Sequence, residues 1–159
     1  MKAKELMTSK DKVTCLYNDM DLQECYKKLS ESHFTMIPVL ERESGRYLYS
    51  LSTLDILKSI MESNSLEKAL KSPLTSIETE RLIICAPIES EVADLVDLIA
   101  NQNFVPIVNK KGEFEGIITR RKLIFHLKNI ILEGRKKGVI ATETVHLVQK
   151  NAQKEKLKS

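Results

Sequence analysis

This sequence predicts an α/β (α+β) fold of two similar β-α-β-β-α lobes, and three observations carry the prediction. The first is an internal repeat. Phe34-Thr35-Met36-Ile37-Pro38-Val39-Leu40, running on to Leu57, is echoed by Phe104-Val105-Pro106-Ile107-Val108, running on to Ile124. Pro38 matches Pro106, Gly45 matches Gly112 and Ser52 matches Thr119, with one single-residue gap between the copies. The second is that period-2 and helical patterns alternate in the same order around each copy. The third is length. In a chain of 159 residues neither half can bury both faces of a sheet alone, so the lobes should pack sheet against sheet with pseudo-two-fold symmetry.

The elements follow in order. Residues 13–16 read as a short apolar strand, and Asn18 or Asp19 offers a helix cap. Leu22, Cys25, Tyr26 and Leu29 recur at helical spacing, which predicts a helix over 20–32. Residues 36–40 form a buried strand, and Glu43-Ser44-Gly45 turns the chain into a second strand, 47–51. Ser52 can cap a helix whose apolar face carries Leu54, Ile56, Leu57, Ile60 and Met61. A short helix at 65–70 ends before Pro73. The second lobe repeats the order: strand 82–85, helix 89–101, strand 105–108, a turn at Lys110-Lys111-Gly112 and strand 114–118. A last helix then runs from about Thr119 to Leu132, with Gly134 and Gly138 as stop signals. The domain reading is 1–62 for the first lobe, 63–80 for the connector, 81–133 for the second lobe and 134–159 for an extension. The polar, lysine-rich end of that extension is expected to be disordered.

Composition narrows the function class. Apolar residues at 42% suffice for a core and charged residues at 30% for solubility, while a net charge of +3 is far from the dense basic face of a nucleic-acid binder. Cys15, Cys25 and Cys85 lack C-x-x-C spacing and read as reduced thiols of a cytoplasmic protein. The N-terminus shows no signal peptide, and the longest apolar run, 82–88, is too short to span a bilayer. His33, His126 and His146 are scattered without metal or triad spacing, and no phosphate-binding loop or dinucleotide fingerprint is present. The expectation is a protein that is not an enzyme and carries no catalytic residue, metal or cofactor. Membrane association and nucleic-acid binding are not expected either.

The β-α-β-β-α order, the apolar-Pro-Val strand, the Gly-containing turn and the closing apolar-apolar-Ser/Thr-x-x-Asp unit resemble tandem CBS domains over residues 1–133. Lys12-Val-Thr14, Phe34-Thr35-Met36-Ile-Pro-Val and Glu113-Phe-Glu-Gly-Ile-Ile-Thr-Arg-Arg121 are similar to the stand-alone bacterial CBS proteins that bind cyclic di-AMP (the CbpB/DarB group). The resemblance implies a nucleotide-sensing regulatory protein. It would bind cyclic di-AMP between the lobes, work as a homodimer and signal to a client protein such as a (p)ppGpp synthetase/hydrolase. AMP, ADP or ATP as the regulatory ligand is the alternative reading, and a ligand-free CBS interaction module is another.

The physical chemistry of those residues fits such a ligand. Thr119 and the amides behind it would sit at a helix N-terminus, which favours a phosphate, and Arg120 and Arg121 add two guanidinium forks. Phe34 could stack on an adenine or wall it, and Thr35 could bond its edge. Leu16, Met36 and Ile37 would line the slot, backbone near Thr14 could read the base, and Lys12 would stand at the rim. Ser52 and Asp55 keep the family's Ser/Thr-x-x-Asp pattern and, with Phe104, mark a second, weaker cleft. In the second repeat Lys122 replaces that acid, which shifts its site towards phosphate. Tyr49 replaces the glycine matching Gly116 and crowds the Ser52 cleft. Simpler readings stand beside these: Arg120-Arg121-Lys122 as a solvated helix start, Phe34 as a core residue, and Ser52 with Asp55 as a helix cap and its first-turn acid.

Overall fold

The computed structural model describes residues 1–32, 34–79 and 81–136. The chain divides into two compact units, Met1–Arg120 and Arg121–Ser159, and both sequence repeats up to the last strand lie in the first. The expected disorder of the tail and the stop signal at Gly138 fall outside the described residues. Among the described residues no helix is long and apolar enough to cross a membrane.

The first unit opens with α1 (Ala3–Leu6), β1 (Thr8–Ser9) and a 3-10 turn at Lys10–Lys12. The first repeat follows as β2 (Leu16–Tyr17), α2 (Leu22–Glu31), β3 (Met36–Leu40), β4 (Tyr47–Ser52) and α3 (Thr53–Glu62). The connector holds α4 (Leu66–Leu70) and a 3-10 turn at Leu74–Ser76. The second repeat is β5 (Ala86–Pro87), a 3-10 turn at Val92–Leu95 leading into α5 (Val96–Asn101), β6 (Phe104–Val108) and β7 (Phe114–Thr119). The last helix, α6 (Arg120–Lys136), begins at the end of the first unit.

Each expected element exists, with shifted ends that have local causes. The strands expected at 13–16 and 82–85 form at Leu16–Tyr17 and Ala86–Pro87 instead. In the parallel register Leu16↔Val39, the carbonyl of Thr14 would accept from the N–H of residue 38, which is proline and has none. The register Ala86↔Ile107 sets Ile84 against Pro106 in the same way. The cap of α2 is Asp21 rather than Asn18 or Asp19. Its carboxylate accepts from the Glu24 N–H at 2.8 Å, and Glu24 returns a bond to the Asp21 N–H at 3.1 Å. Asp19 is engaged elsewhere, in an ion pair with Arg42 that lowers its carboxyl pKa. The helix expected from 89 starts late because Glu91 is held extended in a bridge with Lys2, and the chain enters a 3-10 turn only at Val92. The N–H of Ala3 donates to Ser90 (2.8 Å) and the N–H of Val92 to Met1 (2.9 Å). At the other end α6 passes through Gly134 to Lys136, since Leu132, Glu133, Arg135 and Lys136 favour helix enough to absorb a glycine cost of about 1 kcal/mol.

Two sheets result. One has the order β2-β3-β4, with β2 parallel to β3; the other is β1-β7-β6-β5, with β5 parallel to β6. Leu16, Leu22, Ile37, Val39, Leu51 and Leu74 fill the first repeat's own core. A separate cluster joins the repeats: Cys15 and Leu40 from the first pack with Ile83, Phe104, Phe114 and Ile117 from the second. Tyr47 stacks on Phe114, with ring centroids 6.4 Å apart, and its hydroxyl bonds Ser50 (2.9 Å) and donates to the Ile83 carbonyl (3.3 Å). The two hairpin turns also pair through Tyr47 N–H to Gly112 O (3.0 Å) and Phe114 N–H to Gly45 O (2.9 Å). Gly45 and Gly112 have φ of +70° and +79°, a region that favours glycine.

The sheets differ at one edge. β1 lies antiparallel on β7, with Ser9 opposite Gly116. A side chain at Gly116 would put its Cβ 2.1 Å from the Thr8 carbonyl oxygen. In the first repeat Tyr49 occupies the matching place, since it faces Val39 as Gly116 faces Ile107. No strand is added beyond β4 there among the described residues.

Candidate ligand-binding cleft

Within the first unit an open cleft with a cavity of about 170 Å³ gathers residues from both repeats. Phe34, Thr35, Met36, Ile37 and Pro38 enter from the start of β3. Lys12, Val13 and Thr14 come from the segment before β2. Asn103 and Phe104 come from the start of β6, Ile117 and Thr119 from β7, and Thr8 from the strand laid over β7. The cleft therefore exists because β1 crosses to the second repeat's sheet and carries the following loop to the first repeat's strand ends.

Seven of the ten residues expected at a principal site line this cleft: Lys12, Thr14, Phe34, Thr35, Met36, Ile37 and Thr119. Leu16 does not; it is fully buried in the first repeat's core, one step further along the strand. Arg120 does not line it either. Its guanidinium donates to the carbonyls of Ile99 (2.9 Å), Ala100 (3.4 Å) and Gln102 (3.1 Å), closing the C-terminal end of α5, where cations are favoured. Arg121 opens the second unit, and its guanidinium lies over the Phe125 ring, 5.7 Å from the centroid.

Phe34 is 53% exposed, so its ring is available as a wall rather than spent in the core. Thr14 is half-buried, and among the described residues neither its N–H nor its C=O has a hydrogen-bond partner. Pro38, itself in the cleft lining, is the reason that the carbonyl has no strand partner. One residue thus presents a donor and an acceptor side by side, next to an aromatic face. Lys12 is exposed at the rim. Lys10 is drawn towards Glu115, 3.9 Å away, and the Asp11 carboxyl is held below its usual pKa by the Ser9 hydroxyl.

The residues expected at a second cleft separate. Phe104 lines the first cleft. Ser52 and Asp55 form the capping box of α3: Asp55 Oδ2 accepts from the Ser52 N–H (2.8 Å) and hydroxyl (2.6 Å), and Ser52 Oγ accepts from the Asp55 N–H (3.1 Å). Sequence reasoning missed Gln102, which is 6% exposed although polar. The repeat itself held the signal. The Arg120 N–H bonds the Asn103 carbonyl just as the Thr53 N–H bonds that of Thr35, so Gln102 is the counterpart of Phe34. Cys15 and Cys25 are buried, and burial pushes their thiols up to about 11 and about 12, away from thiolate chemistry. No group of His, Cys, Asp and Glu able to hold a metal is found among the described residues.

Comparison with known proteins agrees with this architecture. No curated protein matches the chain. Among solved structures, a CBS domain-containing protein of Bacillus anthracis has 26% identity and a TM-score of 0.69, over 81% of this chain and 94% of that one. The CbpB protein of Listeria monocytogenes, solved in complex with cyclic di-AMP, has 23% identity and a TM-score of 0.67, over 80% and 95%. Another CbpB, also solved in complex with cyclic di-AMP, reaches a TM-score of 0.76 at 15% identity, over 86% and 91%; at these identities the two CbpB likenesses concern the fold. The CBS domain model matches residues 3–62 and 74–129, and the chain belongs to the CBS-domain family as a tandem pair.

Proposed function

We propose that the chain is a non-catalytic regulatory protein that binds an adenine-containing nucleotide in the cleft of the first unit, with cyclic di-AMP as the ligand. One observation carries this reading: the N–H and C=O of Thr14, without a partner among the described residues, beside the exposed ring of Phe34. The Watson–Crick edge of adenine sets an acceptor nitrogen next to an amino donor, which complements one backbone amide pair. The base's face can stack on Phe34. Thr35 and Lys12 then meet sugar and phosphate at the rim. The CbpB structures in complex with cyclic di-AMP support the choice through their shared fold. Free thiols at Cys15, Cys25 and Cys85 support a cytoplasmic setting.

A homodimer is part of the same proposal. Tyr26, Leu54, Leu57 and Met61 leave an exposed apolar face on α2 and α3, around a groove floored by Leu29, Ile56 and Ile60. The ligand controls a client, such as a (p)ppGpp synthetase/hydrolase, only to the extent that it binds the free and client-bound forms with different affinity.

Calorimetry with cyclic di-AMP, AMP, ADP and ATP in turn tests the ligand. Saturable binding should be tightest for cyclic di-AMP, and Phe34→Ala should weaken it roughly 5- to 150-fold, the worth of one base stack. Arg121→Ala checks the phosphate contact expected from sequence. Tighter binding of a mononucleotide would replace the ligand, and no thermal stabilisation by any adenine nucleotide at millimolar concentration would overturn the reading. Leu57→Glu should convert the dimer to monomer in analytical ultracentrifugation; an unchanged mass would discard this face as the interface.

A further inference from the structure

The repeats solve one backbone problem in two ways. Pro38 and Pro106 each leave the opposite residue, Thr14 or Ile84, with a carbonyl that the strand ladder cannot satisfy. At Thr14, a cleft-lining residue, the amide pair has no partner among the described residues. At Ile84 it is filled by the chain itself: Gln102 Oε1 accepts from the Ile84 N–H at 3.1 Å, and Gln102 Nε2 donates to the Ile84 carbonyl at 2.8 Å. The same Nε2 donates to the Phe104 carbonyl at 2.8 Å. A carboxamide offers an acceptor beside a donor, the same pair that the Watson–Crick edge of adenine presents. Gln102 also stands at the position that Phe34 holds in the first repeat.

We propose that the second repeat contains a latent adenine site held shut by Gln102, whose side-chain amide occupies the place of the base edge; this rests on the adenine reading of the first cleft. The ligand class is a neutral adenine nucleoside. Ser52 matches Thr119 by register, so the latent site opens towards Ser52 and Asp55. The hollow next to them carries Asp55, Glu62 and Glu78 against Lys58, a surrounding that disfavours a phosphate. The wild-type chain accordingly takes adenine in one cleft.

Two exchanged substitutions test this by amide NMR. Phe34→Gln should close the first cleft: with Phe34 exposed, the fold survives, and hydrogen exchange at the Thr14 N–H should slow by about fivefold or more, as one added hydrogen bond requires. Unchanged Thr14 exchange in the folded variant would overturn the proposal. This measurement needs no nucleotide, so it stands even if the wild type binds none and the proposed function falls. Gln102→Phe installs the side chain of the open cleft, and adenosine at millimolar concentration should then shift the Ile84 amide saturably, more strongly than AMP does. A folded variant with a silent Ile84 amide, a preference for AMP, or failure to fold with the very residue that the open cleft carries would each count against the latent site.

Discussion

Gly116→Ala isolates the contact on which the cleft depends. The new methyl carbon would lie 2.1 Å from the Thr8 carbonyl oxygen and 3.0 Å from the Thr8 carbonyl carbon, both backbone atoms that no rotamer change can move. The oxygen contact is more than roughly 1 Å short of ordinary non-bonded distance, so β1 must leave β7 or the sheet must distort. Detachment gives up the pairing of Thr8 with Ile117 and Ser9 with Gly116, at about 1 kcal/mol net for each hydrogen bond lost. Distortion costs about 1–3 kcal/mol, as overpacking usually does. Either route leads to a loss of about 1–3 kcal/mol, or a Tm lower by roughly 2–12 °C for a chain of this size. Calorimetric unfolding reads the magnitude, and amide exchange at Thr8 and Ser9 reads the place. Because Thr8 and Ile117 both line the cleft, nucleotide binding should weaken in step. A Tm within about 2 °C of wild type, with Thr8 and Ser9 still protected, would refute the reasoning.

Two further outcomes follow from burial and capping. Cys15 and Cys25 have thiols raised to about 11 and about 12, and the Tyr47 hydroxyl is raised to about 12, in each case chiefly by burial. Groups raised in the folded state contribute their stability below their unfolded values and lose it as pH rises. Tm should therefore be steady up to about pH 8.5 and fall progressively towards pH 11, and a flat profile over that window would contradict it. Ser52→Ala removes the hydroxyl that caps α3 and leaves Asp55 Oδ2 with the Ser52 N–H alone, which should cost about 1 kcal/mol in urea unfolding; a change below about 0.3 kcal/mol would show that Asp55 and solvent replace the cap.

The fold was legible because it is written twice. Pro38 with Pro106 and Gly45 with Gly112 fix the strand and turn of each repeat, and helical spacing around Leu22, Cys25 and Leu29 needs no tertiary information. Seven cleft residues were legible for the same reason, since Phe34-Thr35-Met36-Ile37 and Lys12-Val13-Thr14 are short contiguous stretches that the fold keeps together. β1 was not legible. Two residues, Thr8 and Ser9, carry no periodic signal, and their pairing with β7 depends on the missing side chain of a glycine more than a hundred positions away. Arg120 could not be placed from sequence because a cation beside a threonine at a helix start reads alike whether it faces a phosphate or the carbonyls of Ile99 and Gln102.

The mismatches between the repeats are what leave one backbone opening rather than two. A proline at the same strand position deprives Thr14 and Ile84 of the same donor, so duplication alone would leave two equal openings. Two substitutions break the equality. Tyr49 in place of glycine stands at the edge where the second sheet receives β1, and Gln102 in place of Phe34 spends the second opening on the chain itself. The first removes a wall and the second removes the vacancy. Reversing Tyr49 alone should therefore leave Ile84 protected, because its N–H and carbonyl are held by Gln102 and not by an edge strand.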